Sequence, residues 1–166
     1  TQGWAAYTIL DRQTSEPLGT ASYMRQRPEH GSVEVGCVAF SPALRKRPAA
    51  SEAIYLMAAH VLDDLGYRRF EWKCNNANQA SRRAAVRFGF RFEGIFRNDM
   101  VAKGENRDTA WYAMTDDDWP GVKIAFQRWL SPSNFDAAGQ QLMSLSVLQA
   151  AQARIAPAHQ HQQDQQ

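Results

Sequence analysis

The sequence predicts a mixed α/β (α+β) domain, in which helices pack on a mostly antiparallel sheet. Short runs of alternating apolar residues in the N-terminal third are typical of strands. Two longer segments carry apolar residues at helical spacing and alternate with further strands. A strand–turn–strand pattern around Gly104 predicts a hairpin, and hairpins make a sheet antiparallel. The predicted element order is β-β-β-α-β-α-β-β-α-α.

The first three strands are predicted at 4–10, 18–24 and 33–40, where apolar and polar residues alternate between turn signals. Gly36 falls inside the third strand. A glycine there indicates a β-bulge or a close approach by a ligand, and a simple weak point in the strand is an equal alternative.

The centre of the chain reads as helix, strand, helix. An apolar stripe predicts a helix over 48–65, with Pro48 at its first position and Gly66 as its stop. A strand follows at 68–74. Asn78 is predicted to cap a second helix that ends at Gly89.

A hairpin of strands at 92–102 and 109–114 comes next, and helices are predicted at 119–130 and 135–153. The 166 residues fit one domain at 1–156, with a core at 4–115 and C-terminal helices within 119–153. The glutamine-rich tail at 157–166 is predicted to be disordered because it is almost free of apolar side chains. Because the chain starts at Thr1, we expect a piece of a longer protein.

The amino-acid composition excludes several classes of protein. A hydrophobic share of 44% excludes global disorder, and no apolar run approaches a membrane span. Only two cysteines, Cys37 and Cys74, are present; both are predicted to be small buried residues, and no metal site is predicted. With no leader pattern, a cytoplasmic protein is expected.

The first candidate site is the segment from Arg45 to Ser51, where three cations precede a helix start with small residues. Free backbone N–H groups and the helix dipole attract anions, so the segment is a candidate phosphate seat. A solvated basic loop is the alternative. The cations are Arg45, Lys46 and Arg47.

The second candidate site opens the next helix, where Ser81 lies three residues after Asn78. Its hydroxyl can face a thioester, although simple capping explains both residues. Both candidate segments follow strand ends, where ligands of α/β proteins gather. Between Tyr67 and Arg97, eight lysines and arginines stand against two glutamates in a chain of net charge +2, which favours an anionic ligand. RNA binding is a weaker alternative, because the interleaved aromatic residues point to the core.

Together these segments resemble the GCN5-related N-acetyltransferase (GNAT) family. The resemblance rests on the strand 33–36, the loop 45–51, and Asn78-x-x-Ser81 followed by Gly89-Phe90-x-x-Glu93-Gly94. The continuation to Arg97 and the segment Arg107-Asp108-Thr109 look most like the branch of ribosomal-protein-alanine N-acetyltransferases.

The resemblance implies a sheet that splays beside Gly36, with acetyl-CoA in the cleft as co-substrate. Backbone groups of Val38, Ala39 and Phe40 would pair with the pantetheine arm. The pyrophosphate would lie on the N–H groups of Ala49, Ala50 and Ser51 beside the three cations, with Asn78 and Ser81 near the sulfur.

Three features depart from the family pattern. Pro48 stands where the phosphate loop usually has glycine, which removes one N–H donor. Ala85 stands where many relatives carry a tyrosine as general acid, which leaves Ser81 as the candidate. The first strand and two helices of the family have no counterpart before Trp4.

Direct attack of an amine on the thioester needs a base, and Glu34 is the candidate on the cleft strand. A structural ion pair is the alternative for Glu34. Cys37 is predicted to face away from Glu34 and is rejected as a nucleophile. Trp111 and Tyr112 lie where the family binds its acceptor, although packing is the commoner role of aromatic residues.

The predicted function is transfer of an acetyl group from acetyl-CoA to an amine, either a protein N-terminus or a small molecule. A CoA-binding domain without transfer activity is the alternative, because of Pro48 and Ala85. No membrane partner is expected, nucleic acid is disfavoured, and the sequence does not define the oligomeric state.

Overall fold

The structure is a computed structural model that describes residues 3–45 and 47–155. Lys46 and the predicted disordered tail at 157–166 therefore lie outside the described residues. The order of the described elements matches the predicted order. The strands are β1 Ala5–Leu10, β2 Pro17–Arg27, β3 Ser32–Phe40, β4 Arg69–Asn75, β5 Arg91–Ala102 and β6 Glu105–Thr115, and the helices are α1 Pro48–Ala59, α2 Gln79–Arg87, α3 Trp119–Leu130 and α4 Leu145–Ile155.

The six strands form one sheet in the order β1-β2-β3-β4-β6-β5. β3 and β4 run parallel, and every other neighbouring pair is antiparallel. The predicted fold class, a mostly antiparallel sheet with helices packed on it, is confirmed.

The sheet splits between β3 and β4. The two strands pair from Ser32–Arg69 to Val35–Trp72, and the pairing ends there. Just beyond, the register of β2 on β3 shifts, and Cys37 adopts a φ of 51°, so β3 carries a bulge directly after Gly36. A bulge bends its strand and increases the local twist, which turns the end of β3 away from β4. The bulge interpretation of Gly36 fits this geometry.

All four helices pack on one face of the sheet. The core contains alternate residues of the central strands, such as Val33, Val35, Phe70 and Trp72, together with buried apolar residues of α1 to α4. The residues between them, such as Glu34 on β3, point to the opposite face, because side chains of a strand alternate. One face of the split is therefore apolar and helix-covered, and the other is polar.

Two details differ from the sequence prediction. The predicted helix at 48–65 closes with a π-turn at His60–Asp64, and this wider turn leaves Leu65 exposed although the apolar stripe includes it. The predicted helix at 135–153 begins only at Leu145.

The segment before Leu145 is a loop because the Asn134 side chain forms hydrogen bonds with its backbone. The Asn134 side chain donates to the carbonyl of Met143 at 3.0 Å and accepts from the Met143 N–H at 3.0 Å. Gly139 adopts a left-handed φ of 75°, which ends any helical run there. The prediction of a helix over 135–153 is therefore wrong for residues 135–144, which form a loop.

Gly19 on β2 lies in close contact with the backbone at the far end of β3. A Cβ atom at position 19 would lie 2.5 Å from the carbonyl oxygen of Ala39. We expect Gly19→Ala to lower the free energy of unfolding by about 2 kcal/mol, because the extra methyl would meet backbone atoms of Ala39 and Phe40 on β3, which cannot easily move away. Urea denaturation measures the change. Gly121→Ala is the matched control: its Cβ would meet only Gln152 at 3.6 Å, so we expect it to stabilise α3 by about 0.5 kcal/mol. Equal effects of the two substitutions would contradict the packing argument.

Candidate active site

A cavity of about 880 Å³ opens on the helix-covered side of the split. It lies between the end of β3, the start of α1 and the outer side of α2. The structure brings together in it several of the residues predicted to bind the co-substrate, namely Phe40, Arg45, Arg47, Ala50 and Ser51. The other predicted binding residues among those described do not line the cavity, although each lies within two residues of one that does. They are Val38, Ala39, Ala49, Asn78 and Ser81.

Two further arginines, Arg83 and Arg87, enter this cavity from α2. They are four residues apart and therefore share one side of the helix. The sequence pattern places both outside the core face of α2 but does not indicate what lies opposite them. With Arg45 and Arg47 they bring four guanidinium groups to one cavity, which suits a ligand that carries several negative charges.

Arg87 is fixed against the start of α1. Its Nη1 donates to the Ser51 Oγ at 2.6 Å, and its guanidinium lies 5.3 Å from the centre of the Trp129 ring. Burial lowers the pKa of Arg87, but the ordinary value is so high that the group stays charged. Ser51 is thus a positioning partner of Arg87 as well as a predicted backbone donor.

The start of α1 offers fewer backbone donors than predicted. Pro48 has no N–H, and the N–H of Ala50 donates to the Arg47 carbonyl at 3.2 Å. Arg47 is the N-cap residue and makes no side-chain cap. Guanidinium groups, rather than a glycine-rich loop, are therefore the main positive charges of this cavity, and their charge and its size fit a diphosphate group.

Beyond the split, β4 no longer pairs with the stretch Val38–Phe40, so one edge of β3 faces the cleft. Arg45 approaches this edge and donates from its Nε to the Phe40 carbonyl at 3.1 Å. An extended ligand that pairs with this edge competes with Arg45 for that carbonyl.

Asn78 and Ser81 lie on the helix-covered side of the split. The Asn78 Oδ1 accepts from the Ser81 N–H at 3.0 Å, so Asn78 caps α2 as the sequence predicts. The Ser81 Oγ accepts from the Trp72 Nε1 at 3.0 Å, and its own proton remains available to donate. Ala85 is fully buried against the core.

Glu34 lies on the opposite, polar face, next to the last paired residue of β3. Its side chain is almost fully buried and forms ion pairs with Arg25 and with Lys73, whose Nζ is 3.2 Å from the Glu34 Oε2. Lys73 also contacts the Glu71 Oε2 at 2.7 Å. We call Glu34, Lys73 and Glu71 the buried charge cluster. The ion pairs agree with the structural alternative for Glu34, and its role as a base stays a prediction.

Two further arginines and one aromatic ring contact the buried charge cluster. Arg27 and Arg69 reach Glu71 at 2.9 and 2.7 Å, and the Lys73 Nζ lies 3.8 Å from the centre of the Trp111 ring. Burial alone raises the pKa of Glu71, but hydrogen bonds and charge from Arg69 and Lys73 outweigh it, so this pKa lies below its ordinary value.

A second cavity, of about 310 Å³, opens on this polar face beside Glu34 and Lys73. Trp111 lines it, as the family resemblance implies for an acceptor site. Tyr112 does not: it lies in the core, and its hydroxyl accepts from the Arg82 Nε at 3.1 Å. We call this the polar-face cavity.

Cys37 differs from its prediction. Its side chain is exposed rather than buried, and its Sγ lies 3.9 Å from the Sδ of Met24, which pairs with Glu34 across β2 and β3. The bulge interrupts the alternation of side chains, so Cys37 lies on the same face as Glu34, whereas the alternating pattern predicts that it faces away from Glu34. Cys74 is buried as predicted.

Other site classes receive no support in the described part of the chain. Residues 3–45 and 47–155 contain no cluster of three or more His, Cys, Asp or Glu side chains that could hold a metal ion. None of the helices in these ranges is long and apolar enough to cross a membrane.

The splayed sheet, the basic cavity on one face and the polar cavity on the other define an acyltransferase fold. Residues 1–91 match the family model described as acetyltransferase (GNAT) domain, which is more than half of the chain. The chain belongs to the GNAT acetyltransferase family.

Solved structures agree with this assignment. The chain is 47% identical to a GCN5-related N-acetyltransferase from Brucella melitensis, with a TM-score of 0.87 over 90% of this chain and 68% of that one. A probable acetyltransferase of the GNAT family from Chromobacterium violaceum is 42% identical, with a TM-score of 0.70 over 72% of this chain and 60% of that one.

Among curated proteins, the chain is similar to the uncharacterized N-acetyltransferase YoaA of Bacillus subtilis. The two are 29% identical over 106 residues, which is 64% of this chain and 59% of the relative. The match thus spans about three fifths of the relative's length.

Acid should weaken the buried charge cluster. The pKa of Glu71 is lowered in the folded state, so its stabilisation is complete above the ordinary glutamate pKa and is lost as pH falls through the folded value. We expect Glu71→Gln to destabilise the protein by about 3 kcal/mol at pH 7, because it leaves buried cations short of a partner.

The melting temperatures of wild type and Glu71→Gln should therefore converge as pH falls from 7 to about 3, within the range where glutamates protonate. Glu93→Gln is the control, since Glu93 pairs with Arg69 at the exposed end of the network and its loss should matter little. A constant difference between wild type and Glu71→Gln across this pH range would refute the linkage.

Proposed function

We propose that this protein transfers the acetyl group of acetyl-CoA to the amine of an acceptor that enters from the other face of the sheet. The observation that carries the proposal is the pair of cavities on opposite faces of one split between β3 and β4. A donor and an acceptor held on opposite sides of a split meet in one ternary complex, which favours direct attack.

The basic cavity suits the diphosphate end of acetyl-CoA. Arg45, Arg47, Arg83 and Arg87 bind its negative charges there, and the free edge of β3 orients the extended arm. When bound, acetyl-CoA supplies the activated acyl group. Ser81 is proposed to donate its hydroxyl proton to the departing sulfur from the helix-covered side.

Glu34 is proposed as the base that removes the proton of the acceptor amine. Its carboxylate forms ion pairs with Arg25 and Lys73, and it lines the polar-face cavity. Lys73 lies between Glu34 and Glu71, so the two carboxylates share one cation.

The acceptor is proposed to be a protein N-terminus or a small amine. The segment that carries the resemblance to ribosomal-protein-alanine N-acetyltransferases supports the first choice, because Arg107 and Thr109 line the polar-face cavity. The fold at 1–156 is proposed to be one domain. A CoA-binding domain without transfer activity predicts CoA binding with no product.

Neutralising the arginines of α2 should weaken CoA binding. We expect Arg83→Gln to raise the Kd of CoA about tenfold at low salt, because a hydrogen bond to a charged phosphate is lost. The loss should shrink at high ionic strength, since part of it is screened attraction. Calorimetric titration measures Kd, with Arg128→Gln on the exposed side of α3 as control. An unchanged Kd for Arg83→Gln at low salt would remove the basic cavity from the proposal.

Glu34 and Glu71 form a matched pair for testing the base. Both are buried and both contact Lys73, but only Glu34 lines the polar-face cavity. We expect Glu34→Gln to lower kcat by roughly 10²–10³-fold with little change in CoA affinity, as loss of a general base does. The acidic limb of the pH–rate profile should disappear with it.

Glu71→Gln should lower stability while kcat stays close to wild type. Release of free CoA, followed with a thiol reagent, measures turnover in both variants. Equal losses of kcat in the two variants would mean that Glu34 acts only through the buried charge cluster, and that another group takes the proton.

A further inference from the structure

The polar-face cavity contains two charged side chains that have no ion-pair partner in the described part of the chain. Four cations line it, Arg25, Arg27, Lys73 and Arg107, together with the carboxylates of Glu34 and Asp99. Arg25 and Lys73 pair with Glu34, and Arg27 pairs with Glu71. Arg107 and Asp99 have no ion-pair or side-chain hydrogen-bond partner within residues 3–45 and 47–155.

Buried polar atoms without partners gather around Arg107. Its Nε is buried and makes no hydrogen bond to the described part of the chain, and the same holds for the Thr109 Oγ1 and the Trp111 Nε1. Thr109 is only 2% exposed. Because buried polar atoms are nearly always paired, three unpaired atoms on one stretch of β6 indicate that a polar ligand completes them. Two of the three, Arg107 Nε and Trp111 Nε1, are donors, so the ligand offers acceptor oxygens.

A built-in bulge brings Asp99 to this cavity. The pairing of β5 with β6 shifts between Phe96 and Met100, and Asn98 adopts a φ of 52°. The Asp108 Oδ1 accepts from the Asn98 N–H at 2.8 Å and from the Asn106 Nδ2 at 3.1 Å, which fixes the bulge. Bulges of this kind re-aim a side chain, and here Asp99 lines the cavity opposite the cationic wall.

We propose that the acceptor is a compact amine that also carries a carboxylate, and that Arg107 binds this carboxylate. The inference rests on the proposed acetyl transfer and deepens it. The planar guanidinium of Arg107 suits two carboxylate oxygens, Thr109 and Trp111 offer further hydrogen bonds, and Asp99 attracts the ammonium form of the amine. Glu34, on the same cavity, faces the amine that reacts.

The same charges exclude other acceptors. A polyamine has several cations and no anion, so it meets Arg107 and Arg27 unfavourably on entering the cavity. A volume of about 310 Å³ admits an amino acid or the first residue of a peptide, which lies at the small end of ligand cavities. The carboxylate can therefore belong to a free amino acid or to an acidic side chain at a peptide N-terminus.

The test compares wild type with Arg107→Gln on acceptors in matched pairs. The first pair is each free amino acid and its α-amide, the second is a tripeptide amide beginning with Glu and one beginning with Gln, and spermidine is added as polycation. For each acceptor, kcat/KM of wild type is divided by kcat/KM of Arg107→Gln. Differences in the basicity of the amines cancel in this ratio.

We expect the ratio to be roughly 10²-fold for the carboxylated member of one pair and close to one for its amide, as for a site built around one polar group. A large ratio for the free amino acid identifies a small-molecule acceptor, and a large ratio for the Glu tripeptide identifies an acidic N-terminus. Arg107→Lys should recover only part of the activity, because lysine lacks the planar fork. Lys103→Gln, at the exposed tip of the same hairpin, should leave all ratios near one.

Ratios that are equal for carboxylates and amides overturn the inference, as does preferential acetylation of spermidine. So does the absence of turnover with every carboxylated amine in a protein whose melting temperature CoA still raises. If CoA leaves the melting temperature of wild type unchanged, acetyl transfer itself fails, and that result does not depend on Arg107. Melting of Arg107→Gln alone shows whether the variant is folded.

Discussion

The separation of β3 from β4 is the constraint on which the rest of the molecule depends. Parallel strands normally stay paired to their ends, because unpaired backbone groups are costly. Here the bulge after Gly36 turns β3 away after four paired positions and leaves two free edges inside the sheet. The helices cover one side of the gap and a charged surface covers the other. The two cavities lie on opposite faces of the sheet beside this split.

The buried charge cluster holds the sheet together where backbone pairing ends. Glu34 belongs to β3, and Lys73 and Glu71 belong to β4, so Lys73 links the two strands through side chains one residue beyond their last backbone pair. Buried ion pairs cost desolvation and seldom add much net stability. Their role here is geometric, because the attraction links the two strands where they begin to separate and leaves charged side chains lining the polar-face cavity.

Most of the fold follows from periodicity, and the exceptions have local causes. Strands and helices are predictable because each buries one face, and alternation or helical spacing reveals that face. The loop before Leu145 is not predictable in this way, because one side chain, Asn134, competes for backbone groups over nine residues of sequence. The face on which Cys37 lies is equally unpredictable from the alternating pattern, since a bulge of one residue moves every later side chain of the strand to the other face.

The site was predictable only in part, for the same physical reason. Their places at helix starts predict Ser81 and the basic loop, whereas Glu34 is predicted from its place on the cleft strand and from the need of the reaction for a base. That Arg83 and Arg87 line the cavity cannot be predicted in this way, since periodicity shows which side of α2 lies outside the core but not what that side faces. The sequence singles out Arg107 only as part of a family motif; that its Nε is buried without a hydrogen-bond partner among the described residues is visible only in the structure.

Arg83 and Arg87 also explain how the site accommodates Pro48. A loop that binds phosphate through backbone N–H groups needs glycine, and proline removes a donor and fixes the backbone. In this chain the attraction has moved to side chains: α2 carries two arginines on one side, and Ser51 of α1 anchors one of them. Side-chain charge reaches further than a backbone hydrogen bond but is more strongly screened by salt. In the proposed binding of acetyl-CoA, the departure at Pro48 thus changes the kind of force that holds the anion.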